Sequence, residues 1–284
     1  MQRVRNLSAR VLVLIVLALL AVDRPASAAP LYVSDILAGA VRTVADDGAT
    51  GTLASGFSGP QGMARVGDDL YVANSHANSI SKLTPQGTVT TFATGLSFPK
   101  GLASDLAGNL YVADYFADRV ARVTPGGVVT TFASGFSSPT WLAFNSTGDL
   151  FVSNVAATHI SRITPGGVVS TFVSGLNSPQ GLAFDADDNL YAASGSTIQK
   201  ILPDGTRSTF ATLSSDGEGL SRDGDGFLYL GNSSAAGLRR ISPTGQVSTW
   251  GSVEFPVYAL VVPEPASLCL LAFGGLAMLR RRRK

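Results

Sequence analysis

The chain has 284 residues, a formal net charge of +1 and a mean hydropathy of +0.25, too apolar for intrinsic disorder. The average charge conceals a segregation: residues 1–30 hold four Arg and one acid, residues 263–284 hold five bases and one acid, and 31–262 keep 12 bases against 18 acids, a net of −6. An acidic body excludes a binder of nucleic-acid backbones, which needs a basic excess.

Arg3, Arg5 and Arg10 precede an unbroken apolar run, Val11 to Val22, and Ala26-Ser27-Ala28 supplies the small residues of a signal-peptidase site. The pattern predicts a secretory signal peptide over 1–28, cleaved after Ala28. The alternative is an N-terminal anchor, for which the run is short of the roughly 20 residues that span a bilayer.

The body, 29–262, is a repeat. Leu-Tyr-Val-type segments carry aromatic residues at positions 32, 71, 111, 151, 191 and 229, spaced by 39, 40, 40, 40 and 38. Each unit starts with a Pro-x-Gly-Leu-Ala segment such as Pro99-Lys100-Gly101-Leu102-Ala103. An Asp/Asn/Gly turn follows, then the Leu-Tyr-Val strand, then an alternating strand such as Arg119 to Val123. A Thr-Pro-Gly-Gly turn, as at Thr124 to Gly127, leads to a fourth strand, Val128 to Phe132. Pro fixes φ at the second turn position and Gly suits the fourth. Four short antiparallel strands at a period near 40 predict one propeller blade. The first unit lacks its first strand, and Val257 to Val262 is a first strand with no successor. The C-terminal strand should therefore complete the N-terminal blade, giving an all-β, six-bladed propeller without open edges. An open β-solenoid is the alternative, and it leaves the two half-units unexplained.

Over 31–262 these repeats resemble NHL repeats and the gluconolactonase-like six-bladed propellers. The Thr-Pro-x-Gly turns are similar to those of virginiamycin-lyase-like propellers, which use His and Glu. The resemblance is specific for fold, because propellers host many activities.

Strand order places the start of each first strand and the end of each second strand at one mouth, the default binding site. The residues before the inner glycine fall there: Gln61, Lys100, Thr140, Gln180 and Glu218. So do the strand ends Asp35, Asn74, Asp114, Asn154, Ser194 and Asn232. Trp141 replaces the glycine in blade four, and Trp141, Tyr115 and Phe116 are available for stacking. His76 and His159 lie in loops at the same face. The Asp/Asn ring has two readings, ligand groups or side-chain caps on tight loops. The resemblance implies metal-binding Glu, Asn and Asp at the pre-glycine positions. Here only Glu218 is a carboxylate and Lys100 is a cation, so no metal set carries over. Asp185 to Asn189 and Asp223 to Gly226 read as turn chemistry, with calcium as the alternative. No cofactor is expected.

The tail reads Pro263-Glu264-Pro265, an apolar stretch from Ala266 to Leu279, then Arg280, Arg281, Arg282, Arg283 and Lys284. Fourteen helical residues cover roughly 21 Å, short of a bilayer core of about 30 Å. This tail resembles the PEP-CTERM sorting signal. The resemblance implies recognition by an exosortase, transient inner-membrane anchoring by a short apolar helix, and release to the cell surface or extracellular matrix. The only cysteine, Cys269, lies in this tail, so a disulfide within the body is impossible. Two functions remain open. One is an exported, non-catalytic propeller binding a polysaccharide or surface protein at its mouth. The other is a divalent-metal hydrolase or lyase around Glu218, Asp114, Asn154 and His159.

Overall fold

A computed structural model describes residues 31–45, 47–231 and 237–250, together with the backbone of 256–260. The signal-peptide and sorting-tail segments lie outside the described residues, with the apolar helix expected at each terminus. So does Asn232, expected at the mouth. Among the described residues no helix is long and apolar enough to cross a membrane.

The chain forms six four-stranded antiparallel sheets, as the period predicts. Blade one is β1 (Leu31–Asp35), β2 (Ala40–Val44) and β3 (Thr50–Ser55). Blade two is β4 (Pro60–Val66), β5 (Asp69–Asn74), β6 (Ser79–Leu83) and β7 (Val89–Thr94). Blade three is β8 (Pro99–Ser104), β9 (Leu110–Asp114), β10 (Arg119–Val123) and β11 (Val129–Ser134). Blade four is β12 (Pro139–Phe144), β13 (Leu150–Asn154), β14 (His159–Ile163) and β15 (Val169–Ser174). Blade five is β16 (Pro179–Phe184), β17 (Leu190–Ser194), β18 (Thr197–Ile201) and β19 (Arg207–Thr212). Blade six is β20 (Leu220–Arg222), β21 (Leu228–Leu230), β22 (Leu238–Ile241) and β23 (Val247–Trp250). The last strand, β24 (Pro256–Leu260), pairs with β1, matching Tyr32 to Leu260 and Ser34 to Tyr258. Blade one is thereby completed from both ends of the body, and β24 lies between β20 and β4 in the ring of first strands.

The Leu-Tyr-Val strand is buried on both sides because a blade sits between two others. In β9, Leu110 and Val112 pack with Tyr71 and Ala73 of blade two. Tyr111 and Ala113 pack with Leu142 and Leu150 of blade four. Burying one such leucine is worth about 1.5–3 kcal/mol. The aromatic rings make edge contacts, with Tyr111 at 4.9 Å from Phe132 and 5.2 Å from Phe144. The Thr-Pro-Gly-Gly turn closes by the Gly127 N–H donating to the Thr124 carbonyl at 2.8 Å. Gly127 has a φ of 81° and its missing Cβ would fall 2.7 Å from the Phe92 carbonyl oxygen, so both torsion and neighbour demand glycine.

First strands run away from the mouth and second strands return to it. β24 is a first strand and β1 a second. Leu260 and Leu31 therefore both lie at the turn face, opposite the mouth.

Candidate functional site

At the mouth the inner strands of blades two to five begin with proline, and the preceding residue adopts positive φ: Gly59 at 61°, Phe98 at 57°, Ser138 at 51° and Ser178 at 44°. The inner strands then touch backbone to backbone. A Cβ on Gly62 would fall 2.5 Å from the Lys100 carbonyl oxygen, and one on Gly101 would fall 2.7 Å from that of Thr140.

The Asp/Asn ring holds the loops together. The Ser97 N–H donates to Asp114 Oδ1, and Arg119 Nε donates to Asp114 Oδ2 at 2.7 Å. The Ser137 N–H donates to Asn154 Oδ1 at 3.1 Å, and Asn154 Nδ2 donates to Ser161 Oγ at 3.0 Å. Asn74 repeats the second pattern with Ser58 and Ser81, and Asp35 repeats the arginine pairing with Arg42 at 2.7 Å. Acid is matched with arginine and amide with serine. Asp114 and Asn154 are 0% exposed. Their side chains are engaged in loop clamps.

Trp141 is 7% exposed and belongs to the core between blades four and five, with Leu176 and Leu182. Ile36, from the β1–β2 loop of the opposite blade, packs on the same cluster. Thr140 is also buried, with its hydroxyl 2.9 Å from Ser153 Oγ.

Gln61, Lys100, Gln180 and Glu218 remain at the centre. Burial pushes the Lys100 ammonium below the usual lysine range, and the Glu218 carboxylate pulls it partway back. Blades three and six are opposite, so this attraction spans the mouth. Lys100 Nζ also stands 4.4 Å from the centre of the Tyr115 ring. Gln61 is 4% exposed and its Oε1 has no hydrogen-bond partner among the described residues. An orphaned buried acceptor costs about 1–3 kcal/mol.

Beside these groups runs an arc of aromatic rings that sequence reasoning found only in part. Phe98 lies 5.9 Å from His76, 5.9 Å from Tyr115 and 4.9 Å from Phe116, and Tyr115 lies 5.0 Å from Phe116. His76 overhangs the inner strand, because a Cβ on Gly59 would fall 2.7 Å from its ring. Phe116 is 68% exposed. The available signal was the register: where blade three has Phe98, Tyr115 and Phe116, blade four has Ser138, Val155 and Ala156. His159 starts β14 in blade four, apart from His76 in blade two.

The acidic turns are clasps. Asp185 accepts from the Asp187 and Asn189 N–H groups and from Asn189 Nδ2. Burial pushes Asp105 and Asp185 up, but the bonds from Asn109 and Asn189 outweigh it and hold both carboxyls below their usual value. Among the described residues no group of three or more His, Cys, Asp or Glu could hold a metal ion. A cavity of about 800 Å³ opens between the turns at the other face, lined by Leu106, Tyr111, Phe132, Phe144 and Pro165. Its lining is mostly apolar, and of its charged residues Arg65 pairs with Asp68 and Asp105 is engaged by its own turn, so the mouth is the better site.

The model of the virginiamycin B lyase family matches residues 39–258, and the chain belongs to that family. The PEP-CTERM protein-sorting motif matches residues 261–284, which marks the protein for export to the cell envelope through an exosortase. No curated protein matches the chain. Among solved structures, it is similar to a catalytically inactive virginiamycin B lyase from Staphylococcus aureus with quinupristin, at 16% identity over 80% of this chain and 82% of that one, TM-score 0.64. A gluconolactonase from Xanthomonas campestris gives 18% identity over 84% and 90%, TM-score 0.67. A chain of a nidogen/laminin complex gives 16% identity over 81% and 97%, TM-score 0.74. At these identities the likeness concerns the fold alone.

Proposed function

We propose that this member of the virginiamycin B lyase family is an exported binding propeller, carried out by a signal peptide over 1–28, processed by signal peptidase and an exosortase, and holding a surface or matrix partner at its mouth. The tail associates with the membrane transiently and is then removed. One observation carries the binding reading: the Lys100 ammonium stands at the mouth, 4.4 Å from the centre of the Tyr115 ring, at a position where a metal-dependent site would need anionic oxygens. The remaining central groups, Gln61 and Gln180, are neutral hydrogen-bonding amides suited to recognition.

Intact-mass analysis of protein recovered from cells and culture fluid tests the export half. Loss of 1–28 and of the residues after the Pro263-Glu264-Pro265 triplet is expected; recovery with both ends intact would refute it. Binding of the purified mature protein to producer cells tests the other half. Family membership favours a second reading, a lyase or hydrolase at the same mouth with Glu218 as its acid–base group. Turnover of a streptogramin B or a lactone by the purified protein, abolished by Glu218→Gln, would establish that reading instead.

A further inference from the structure

We infer that His76, Phe98, Tyr115 and Phe116 form a stacking platform for the pyranose rings of a neutral polysaccharide, with Gln61 and Lys100 reading its hydroxyl groups. The inference rests on the binding role proposed above and assigns it a subsite and a ligand class.

Four aromatic side chains gather at one sector of the mouth, between blades two and three. Phe98 touches the other three. Phe116 is 68% exposed and His76 is exposed, so the platform presents ring faces to solvent. Nothing in propeller packing requires this. The corresponding blade-four residues are Ser138, Val155 and Ala156, and the blade has the same four strands. Phe98 stands at a φ of 57°, where blade two uses Gly59. A bulky residue there is unfavourable for local conformation. Its ring is therefore retained against the backbone's preference, and what it adds is the centre of the platform.

The polar groups supply the second observation. Gln61 Oε1 is a buried acceptor with no protein partner among the described residues, two residues from the glycine over which His76 sits. It calls for a donor, and a sugar hydroxyl is one. Lys100 Nζ, 4.4 Å from the Tyr115 ring centre, brings N–H donors to the platform's inner edge. Pyranose rings carry apolar C–H faces and a rim of hydroxyls, which match aromatic faces bordered by one acceptor and one set of donors. Charge selects among glycans. The body carries a net of −6, which disfavours polyuronates and sulfated chains, so the polymer is neutral.

The test titrates the exported protein with neutral hexasaccharides derived from cellulose, amylose and mannan, and with hexagalacturonate as the acidic control. We expect binding of at least one neutral hexamer, weak or no binding of the control, and at least tenfold weaker binding by Tyr115→Ala and Phe116→Ala. Phe98→Gly, which gives blade three the glycine of blade two, separates binding from folding. It should weaken binding at least tenfold while the melting temperature holds. No neutral binding, preference for hexagalacturonate, or unchanged affinity in all three variants overturns the inference. Cell binding distinguishes the two levels: if the protein still binds producer cells but no neutral hexamer, only the platform fails. If it binds neither, the binding reading fails with it.

Discussion

Replacing Gln61 by methionine should stabilise the propeller. The side chain is 4% exposed and its Oε1 has no partner among the described residues. Folding strips water from that oxygen and returns nothing, a cost of about 1–3 kcal/mol. Methionine has nearly the same length and bulk and fills the site without the orphaned acceptor. In a domain of 150–250 residues each kcal/mol moves the melting temperature by about 2–4 °C. Gln61→Met is therefore expected to melt higher, by about 2–12 °C at the extremes. Scanning calorimetry on the mature protein measures it, with Gln180→Met, at a half-buried position of the same ring, as the control expected to stay within about 0.5 kcal/mol. A ligand that donates to Oε1 should reverse the order, because it stabilises the wild type by mass action and the variant less. A lower melting temperature for Gln61→Met without ligand would refute the reasoning, since it would mean that the acceptor is satisfied in the folded state.

Other consequences follow from the clamps and the seam. Arg119→Met leaves the fully buried Asp114 carboxylate without its 2.7 Å partner and should cost about 3–5 kcal/mol in urea unfolding, most of it recovered on adding Asp114→Asn. Trp141→Gly restores the glycine of blades two, three and five but empties the seam between blades four and five. A loss of about 3–5 kcal/mol is expected, read as a lower urea midpoint. Asp105 and Asp185 are held below the usual aspartate range, so their contribution is complete above the pKa of the unfolded chain and is lost as pH falls through their depressed values. Asp105→Asn and Asp185→Asn should flatten the acid limb of a stability–pH profile. The mature body lacks cysteine, so Phe116→Cys and Leu106→Cys report on the two faces. On cells that retain the tail, a bulky maleimide should label the first and spare the second until the tail is removed.

The repeat was legible because a blade is a local unit. The period from Tyr32 to Tyr229 gave the number of blades, and the half-units at Leu31 and Val257 gave the closure. The site was legible only as a set of positions. Asp114 and Asn154 are residue types that serve equally as ligand groups and as caps. What decides between them is the N–H of Ser97 and of Ser137, each 17 residues earlier and brought near by the turn between blades. Trp141 was visible as a departure from glycine, but whether an indole faces the channel or a seam depends on the neighbouring blade's backbone. Phe98 gave no signal by itself, because a residue before proline is ordinarily extended and its positive φ here comes from the blade-to-blade loop. Its meaning emerged only against Gly59 and Ser138.

The closure that removes the open edges also settles where the addresses hang. Completing blade one with a first strand from the C-terminus forces the chain to leave the ring at the end of β24, on the turn face. Starting the body with a second strand forces it to enter at that same face. Had the last strand of the body been a fourth strand, it would have ended at the mouth, as β7 and β11 do, and the sorting tail would have emerged beside the binding groups. With the observed closure, the two basic terminal segments join the acidic body at the face away from Lys100, Glu218 and the aromatic arc. The arrangement follows from strand parity alone and is independent of what the mouth binds.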